Sequence, residues 1–341
     1  MGVIEADKQS VKIPSWVAPS IVYAISIGCL IWVYRDFDWH HQLPRLKRIH
    51  WMWILMAAST DILVYVSQAW RWNLLLKPVA DVPLARSVQA IYIGLFANEL
   101  LPLRSGEAIR CYLQSHWSNI SFPVALSSAL IERMLDGIWL ILGFFLTTFF
   151  VRLDNNLKYG ASILALLVLA LALLLGYAVH RRSEAHDVLA RYRSLSILRH
   201  LIEGLHAMGR SRSFWMAAAA SFVYLALQVV PIYAMIRGYG VNLSFGHAAV
   251  VLVVLRLGTI IPGPPGNIGF FNAFAVAALT LLGVDRQTAK GLSGVMFFVI
   301  TVPLLLAGCI AIALTGLKLG ELQSKVQSHL RRRRPGKTSR G

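Results

Sequence analysis

The sequence predicts an all-α, polytopic membrane protein with two structurally related halves, each containing a hairpin broken by Pro and Gly. Hydrophobic residues make up 57% of the 341 residues and charged residues only 14%, with a mean hydropathy of +0.60. Apolar runs near the twenty residues that a helix needs to cross a bilayer recur along the chain. Two further apolar stretches are interrupted around Pro102 and Pro262. This composition excludes a soluble globular core.

Six long apolar runs are predicted to be membrane-crossing helices. They lie near residues 16-34, 52-76, 122-150, 160-179, 213-237 and 288-316. Two pairs of shorter runs flank the breaks, at 86-101 with 105-117 and at 244-261 with 267-283. Each pair forms either two crossings or one re-entrant hairpin that enters and leaves on the same side. We favour the hairpin, because both halves are then built alike.

An internal repeat supports two halves. Shifting the chain by 160 residues places Pro102 on Pro262 and Gly106 on Gly266. The order of span, broken pair and long span is shared, while sequence identity across the shift is poor. The alternative is that unrelated membrane helices share this Pro and Gly spacing by chance.

The repeat divides one membrane domain, residues 1-320, into halves of about 52-150 and 213-316. The formal charge of +17, from 33 Lys and Arg against 16 Asp and Glu, lies mostly in loops and the tail. Such a pattern indicates topology and attraction to anionic lipids, and not nucleic-acid binding. A basic loop at 180-212 and a basic, disordered tail at 321-341 are therefore predicted to be cytoplasmic.

With both hairpins re-entrant, six crossings put both termini inside, the first hairpin opens to the cytoplasm and the second to the periplasm. This topology leaves Arg35, Arg45, Lys47 and Arg48 outside, against the positive-inside rule. Nine crossings would repair the charges but would build the two halves differently. Segment 40-50 is instead interpreted as an interfacial amphipathic stretch whose basic side chains reach headgroups.

The first break carries polar candidates on both sides: Asn98, Glu99, Arg104, Glu107 and Arg110. A short helix that begins at Gly106 would offer free amide groups and a positive dipole end to a phosphate. The two arginines would add charge-assisted hydrogen bonds. The alternative is that Glu107 and Arg110, three residues apart, simply pair at the headgroup level.

Three charged residues, Glu132, Arg133 and Asp136, lie inside the long apolar run 122-150. A charge facing lipid costs roughly 2.5 to 3.5 kcal/mol on insertion scales, so these side chains must face protein or water. Glu132 and Asp136 share a helical face, and Arg133 is placed to bridge to Asp136. The pattern predicts substrate or proton handling, or alternatively a buried ion pair that locks this helix against the first hairpin.

The second break is uncharged and rich in Pro and Gly, with candidates Pro262, Gly266, Asn267 and Gly269. Glycines permit close approach of the backbone to a ligand, and Asn267 is a candidate cap for the helix that follows. The alternative is a tight interhelical turn. Arg256, in the run before the break, is a second intramembrane basic candidate.

Other polar and aromatic residues carry less weight. Asp61 and Gln68 line the same cavity or bond a neighbouring helix. Five tryptophans near span ends are predicted interface anchors: Trp51, Trp53, Trp70, Trp72 and Trp117. Neither metal-ligand spacing nor a phosphate-binding P-loop is present in the sequence, so no metal and no cofactor are predicted.

Three ordered motifs resemble the flippase-like membrane domain of lysylphosphatidylglycerol synthetases. They are Asn98-Glu-Leu-Leu-Pro-Leu-Arg-Ser-Gly-Glu-Ala-Ile-Arg110, Glu132-Arg-Met-Leu-Asp136 and Pro264-Pro-Gly-Asn-Ile-Gly-Phe-Phe271. The resemblance covers about residues 15-320. It implies a membrane unit that moves lipids, in some members aminoacylated phosphatidylglycerol from the inner to the outer leaflet. Stand-alone members are also linked to hopanoid and polyprenyl-linked sugar pathways.

Together these observations predict a lipid translocase of the bacterial inner membrane, with membrane lipids, anionic ones in particular, as its partners. No catalytic aminoacylation is expected, because only about twenty-five tail residues follow the membrane part. One alternative is an accessory scaffold that recruits a lipid-synthesis enzyme through its basic loop and tail. The other is a membrane-embedded enzyme acting on a lipid phosphate, with Glu107 or Glu132 as general base.

Overall fold

The structure, a computed structural model, describes residues 17–101, 105–147, 211–258 and 265–315, with isolated positions 162, 166, 170 and 208. These residues form ten α-helices and no strand. The helices are α1 Val17–Tyr34, α2 Trp39–Lys47, α3 Trp51–Leu76, α4 Leu84–Leu100, α5 Gly106–Ser118, α6 Phe122–Thr147, α7 Arg212–Gly238, α8 Phe245–Gly258, α9 Phe270–Leu281 and α10 Arg286–Thr315. The all-α class predicted from the sequence is confirmed.

Most helix limits fall within two or three residues of the predicted runs. The predicted crossing at 160-179 and most of the loop at 180-212 lie outside the described residues, as does the tail. One start differs: α9 begins at Phe270 and not at 267. Gly266, Asn267 and Gly269 take φ angles of +66°, +48° and +82°, which no α-helix adopts.

Among the described helices, α3, α7 and α10 are long and apolar enough to cross a membrane, as judged by length and composition. They have 26, 27 and 30 residues. Helix α6 also has 26 residues, enough for about 39 Å, but carries Glu132, Arg133 and Asp136. The chain is therefore a multi-pass membrane protein whose α6 needs protein partners for its charges.

The helices α3 to α6 and α7 to α10 repeat one pattern of contacts. Helix α3 packs against α7 more extensively than any other pair of described helices. In each set the second and third helices form a hairpin, α4 with α5 and α8 with α9. Each hairpin also packs on the last helix of the other set, α4 on α10 and α8 on α6. This reciprocal exchange is the arrangement expected of two related halves around a pseudo-twofold axis.

The first hairpin is antiparallel, and its two helices are in contact both at the tip and at the end away from the tip. At the end away from the tip, the Arg86 guanidinium lies 5.2 Å from the centre of the Trp117 ring. At its tip Gly94 and Gly106 face each other, so that a β-carbon on Gly106 would overlap the Gly94 carbonyl oxygen. Helices α5, α8 and α9 have 13, 14 and 12 residues, fewer than a crossing requires. Re-entrance stays a prediction that these lengths favour.

Helix α2 is short and presents basic side chains to solvent. The Asp38 carboxylate caps it by accepting from the His41 amide at 3.1 Å, which holds the pKa of that carboxyl below its usual value. Arg45 donates to the Thr288 hydroxyl at the start of α10. Arg45 and Lys47 are exposed, as an interfacial helix requires.

One predicted interface anchor is wrong. Trp72 is completely buried, and its indole N–H donates to the Ser128 hydroxyl at 2.7 Å. Trp51 and Trp70 are exposed, as anchors should be. Trp72 differs because it faces the first hairpin, where its ring supports a charged side chain.

Candidate functional site

Six ionisable side chains from α3, α5 and α6 form a closed ring in which positive and negative groups alternate. We call this set the charge ring; its members are Arg71, Glu107, Arg110, Glu132, Arg133 and Asp136. Three arginines balance three carboxylates. The net formal charge of the ring is therefore zero.

The inner part of the charge ring centres on Glu132, which has no exposed side-chain surface. Its Oε1 atom lies 3.1 Å from Nη2 of Arg71, and its Oε2 atom lies 2.8 Å from Nη2 of Arg110. Arg71 also pairs with Asp136 and donates to the Ser221 hydroxyl of α7 at 3.2 Å. A buried carboxylate thus joins α3, α5 and α6, and Arg71 extends the link to the second half.

The outer part of the ring lies at the surface of the protein. Arg133 is 49% exposed, Glu107 35% and Asp136 23%. Nη2 of Arg133 lies 2.5 Å from Oε1 of Glu107, and Nη1 lies 3.4 Å from Oδ2 of Asp136. Oε2 of Glu107 pairs in turn with Nη2 of Arg110 at 2.7 Å. Arg133 is thus the only arginine of the ring that a ligand reaches without displacing packed side chains.

Aromatic rings support the two buried arginines. The Arg71 guanidinium carbon lies 4.5 Å from the centre of the Tyr224 ring, and that of Arg110 lies 4.7 Å from the centre of the Trp72 ring. Cation–π contacts of desolvated arginines contribute about 2 kcal/mol each. The contacts hold these two guanidinium planes in place while the outer arginine is left without such support.

Sequence reasoning brought together five of the six members but missed Arg71. The spacing of Glu132 and Asp136 predicted a shared face, and both carboxylates do meet one partner, Arg71. The usable signal was charge balance: two buried carboxylates on one face need a cation from another helix. Arg71, inside the predicted run 52-76, was one such cation, and Arg256 was another.

At the start of α5, where a phosphate site was predicted, protein groups already take up the helix terminus. The Gly106 amide donates to Oδ1 of Asn98 at 2.8 Å, which ties the two helices of the hairpin together. The Glu107 carboxylate lies in the first turn, where it favours the helix dipole. The first amide of α5 is therefore already bonded within the protein, and a phosphate at this point would meet a carboxylate.

The two broken segments lie against each other. Helix α4 contacts the 3₁₀ turn Pro265–Asn267, and a β-carbon on Gly266 would lie 2.7 Å from Oε2 of Glu99. Gly269 lies against α1, where a β-carbon would be 2.7 Å from the Ser26 carbonyl oxygen. Glu99 and Gly266 thus meet where the two halves join, while Asn98 lies against Gly106 and Gly269 against α1. Arg104 and Pro262 lie outside the described residues.

The predicted cap at the second break is wrong. Asn267 lies in the 3₁₀ turn with a left-handed backbone, and Gly269 is the N-cap residue of α9 without a side-chain bond. Arg256 lies on α8 and donates to Oε1 of Gln228 on α7. Within the described ranges, no group of three His, Cys, Asp or Glu residues is arranged to hold a metal ion.

Comparison with known proteins identifies the family. The family model described as the lysylphosphatidylglycerol synthase TM region matches residues 20–308. Two proteins of Methanothermobacter thermautotrophicus, each described as a UPF0104 membrane protein, are similar over most of their length. One is 21% identical over 72% of this chain and 80% of the relative, and the other 23% identical over 71% and 77%. No solved structure matches the chain significantly.

Proposed function

Because the chain belongs to the family of the lysylphosphatidylglycerol synthase transmembrane region, we propose that it is a lipid translocase of the bacterial inner membrane. It carries a polar or anionic headgroup between leaflets while the acyl chains stay in the bilayer. Aminoacyl-phosphatidylglycerol, hopanoids and polyprenyl-linked lipids are the candidate cargoes. The reaction makes and breaks no covalent bond, so the protein is not an enzyme in this proposal.

The observation that carries the proposal is the junction of two broken hairpins beside a partly open set of charges. Irregular backbone at membrane depth is tolerated where it is buried in protein or lines a cavity. Here Glu99 of the first break and Gly266 of the second are in contact. Charges inside a membrane domain mark substrate or ion pathways in most membrane proteins.

Within the charge ring, Arg133 is the residue that receives the headgroup phosphate. It is the most exposed member, and its guanidinium fork matches two phosphate oxygens. Binding replaces its contacts with Glu107 and Asp136 by contacts with the lipid. Arg71 and Arg110 stay bound to Glu132 and so keep α3, α5 and α6 assembled.

The same exchange accommodates a cationic group on the headgroup. When Arg133 turns to a phosphate, the outer oxygens of Glu107 and Asp136 lose their partner. An ammonium group such as that of an aminoacylated lipid restores the charge balance. The proposal therefore favours headgroups that carry a phosphate and an amine together over singly charged ones.

The topology completes the proposal. The basic loop and the tail lie in the cytoplasm, so the first hairpin opens to the cytoplasm and the second to the periplasm. A lipid-synthesis enzyme that acts at the cytoplasmic leaflet would supply the cargo. Each hairpin then faces one leaflet, and the junction between Glu99 and Gly266 separates the two.

The test is leaflet exchange in proteoliposomes that contain a fluorescent aminoacyl-phosphatidylglycerol. Wild-type protein is expected to expose the label to an external quencher, and Arg133→Gln to slow the exchange tenfold or more, since a charged hydrogen bond contributes about 1.5 to 3 kcal/mol. Arg133→Lys keeps the charge but loses the fork, and we expect intermediate exchange.

The matched control is Arg237→Gln. Arg237 lies in the last turn of α7 and pairs with the side chain of Asn242, far along the chain from the charge ring. This variant loses the same charge and should exchange lipid at the wild-type rate. Equal rates for wild type, Arg133→Gln and empty liposomes would reject the translocase.

A further inference from the structure

Asp61, near the middle of α3, is a buried carboxyl group outside the charge ring. It is 7% exposed. Its side chain makes no hydrogen bond and no ion pair with any other residue in the described part of the chain. An ionised carboxylate left in this state costs several kcal/mol, so the neutral acid or a second arrangement with a cation must be available.

The cation whose charge acts on Asp61 is Arg256 of α8, which belongs to the other half. Arg256 donates to Oε1 of Gln228 on α7. The remaining titratable groups that face Asp61 or its neighbour Tyr65 from the helices packed around them are Tyr92 and Glu99 on α4 and Tyr224 on α7. Asp61 and Arg256 are therefore a carboxyl group and a guanidinium cation of opposite halves, and Gln228 is one of the groups that hold the guanidinium.

We propose that Asp61 is a proton-binding site that couples lipid movement to the proton gradient. This inference rests on the proposed translocase function. With a proton on Asp61 the acid is neutral, and Arg256 stays with Gln228. When Asp61 releases the proton to water, the carboxylate attracts Arg256, which leaves Gln228 and pairs with Asp61 across the two halves. The step moves one proton and exchanges the hydrogen bond of Arg256 to Gln228 for an ion pair with Asp61.

Because Arg256 lies near the end of α8, its change of partner would move the second break. Arg256 lies two residues before Gly258, the last residue of α8. Gly258 packs so closely on α9 that a β-carbon would overlap the ring of Phe274. A shift of the end of α8 therefore displaces α9 and the turn at Gly266, which contacts Glu99 of the first break. Protonation of Asp61 thus biases the junction that separates the leaflets.

The chemistry around Asp61 favours a proton over a sodium ion. Sodium requires several oxygen ligands, whereas the charged group that acts on Asp61 from α8 is a guanidinium, which repels a metal cation. A proton needs only the carboxylate itself. The charge ring, in contrast, has no carboxylate that lacks a cation, so it does not offer an equivalent site.

The experiment measures the steady-state distribution of fluorescent aminoacyl-phosphatidylglycerol in proteoliposomes with a gradient of one pH unit and the membrane potential clamped at zero. One proton per lipid limits the leaflet ratio to about tenfold per pH unit. Wild type is expected to shift the ratio by several-fold, and Asp61→Asn, which keeps the shape, to show the same ratio with and without the gradient. The matched control, Asp36→Asn, removes an exposed carboxylate paired with Arg35 and should respond as wild type does.

Failure of this inference differs from failure of the translocase. If wild type exchanges lipid at a ratio that does not depend on the pH gradient, or that depends on a sodium gradient instead, proton coupling is overturned but the translocase function is not. If neither wild type nor the variants exchange lipid, infrared difference spectra recorded on a change of pH test proton binding at Asp61 directly. The carbonyl band of a protonated carboxyl group must be present in wild type and absent from Asp61→Asn. An unchanged spectrum in that variant overturns the site.

Discussion

The two hairpins have the same helix order and equivalent neighbours, yet they are fastened by different chemistry. In the first hairpin, α5 is joined to α6 by ion pairs of the charge ring, and Glu132 of α6 links it onward to Arg71 of α3. In the second, α9 is joined to α10 and α1 by neutral groups. The Asn272 amide donates to the Tyr34 hydroxyl at 2.9 Å, which lies 3.1 Å from the Ser293 hydroxyl, and Ser26 donates to the Ile268 carbonyl at 2.8 Å.

This contrast means that the two hairpins should respond differently when a bond is lost. Neutral hydrogen bonds can be lost singly, because each contributes only about 1 kcal/mol net. Buried ions are stable only as a balanced set, since each leaves an uncompensated charge when its partner is removed. The charged hairpin is therefore expected to resist change, while the neutral hairpin can lose single bonds at lower cost.

The largest effect is expected from Glu132→Ala. It leaves Arg71 and Arg110 buried without their shared carboxylate, which should lower the free energy of unfolding by about 3 to 5 kcal/mol. Denaturant titration in detergent micelles measures this loss. Leu130→Ala, at an exposed position on the same helix, is the control and should cost less than 1 kcal/mol or so. Similar losses for the two variants would mean that the ring does not hold the first hairpin.

A smaller effect is expected where the tip of the first hairpin closes. Gly106→Ala places a β-carbon against the Gly94 carbonyl and 2.6 Å from Oδ1 of Asn98, so α4 and α5 must separate. Overpacking of this kind costs about 1 to 3 kcal/mol. Gly28→Ala, with no atom within 4 Å of the new carbon, should be neutral or slightly stabilising. Thermal unfolding measures both variants, and Gly106→Ala should melt at the lower temperature. Equal melting temperatures would contradict close packing of α4 and α5 at the tip.

Apolar runs and Pro or Gly breaks predicted the helices well because the bilayer requires long uninterrupted helices and permits breaks only in protected places. The limits of α3 came out as 51 and 76 against a predicted 52 and 76. The partners of the buried charges were harder to predict from the sequence. Helical spacing places Glu132 and Asp136 on one face, but the sequence carries no local signal that Arg71 of a different helix reaches them.

Two other failures have the same origin in long-range packing. Trp72 stands near a span end as its neighbours do, and only the approach of α5 buries it beneath Arg110. Asn267 has the composition of a cap, but the contact of Gly269 with α1 delays the helix until Phe270. The roles of the site residues in lipid movement stay predictions, and the experiments above address them.

Because neutral hydrogen bonds hold the second hairpin, Asn272→Ala is expected to lower stability only modestly. The Tyr34 hydroxyl keeps Ser293 and the Lys290 carbonyl as partners, so the free energy of unfolding should fall by about 1 to 2 kcal/mol. The same denaturant titration as for Glu132→Ala measures it, which compares the two hairpins directly. A loss as large as that of Glu132→Ala would remove the proposed difference between charged and neutral fastening.

The smallest expected effect on stability compares a charged and a neutral cap at the starts of two helices, α10 and α7. Asp285 precedes α10, and its Oδ2 atom accepts from the Thr288 amide at 2.9 Å and from the Thr288 hydroxyl at 3.0 Å, which lowers the pKa of the carboxyl below 3.8. Asp285→Ala should cost about 1 kcal/mol near neutral pH. Because the folded pKa is the lower one, this contribution is complete above pH 3.8 and is lost as the pH falls through the folded value.

The hydroxyl of Ser211 caps α7 by accepting from the Phe214 amide at 3.2 Å, and it has no charge to lose. Ser211→Ala should therefore cost a similar amount at every pH. Thermal unfolding of wild type and the two variants between neutral and acidic pH tests this difference. If the gap between wild type and Asp285→Ala stays constant as the pH falls below 3.8, the carboxylate does not cap α10 as an ion.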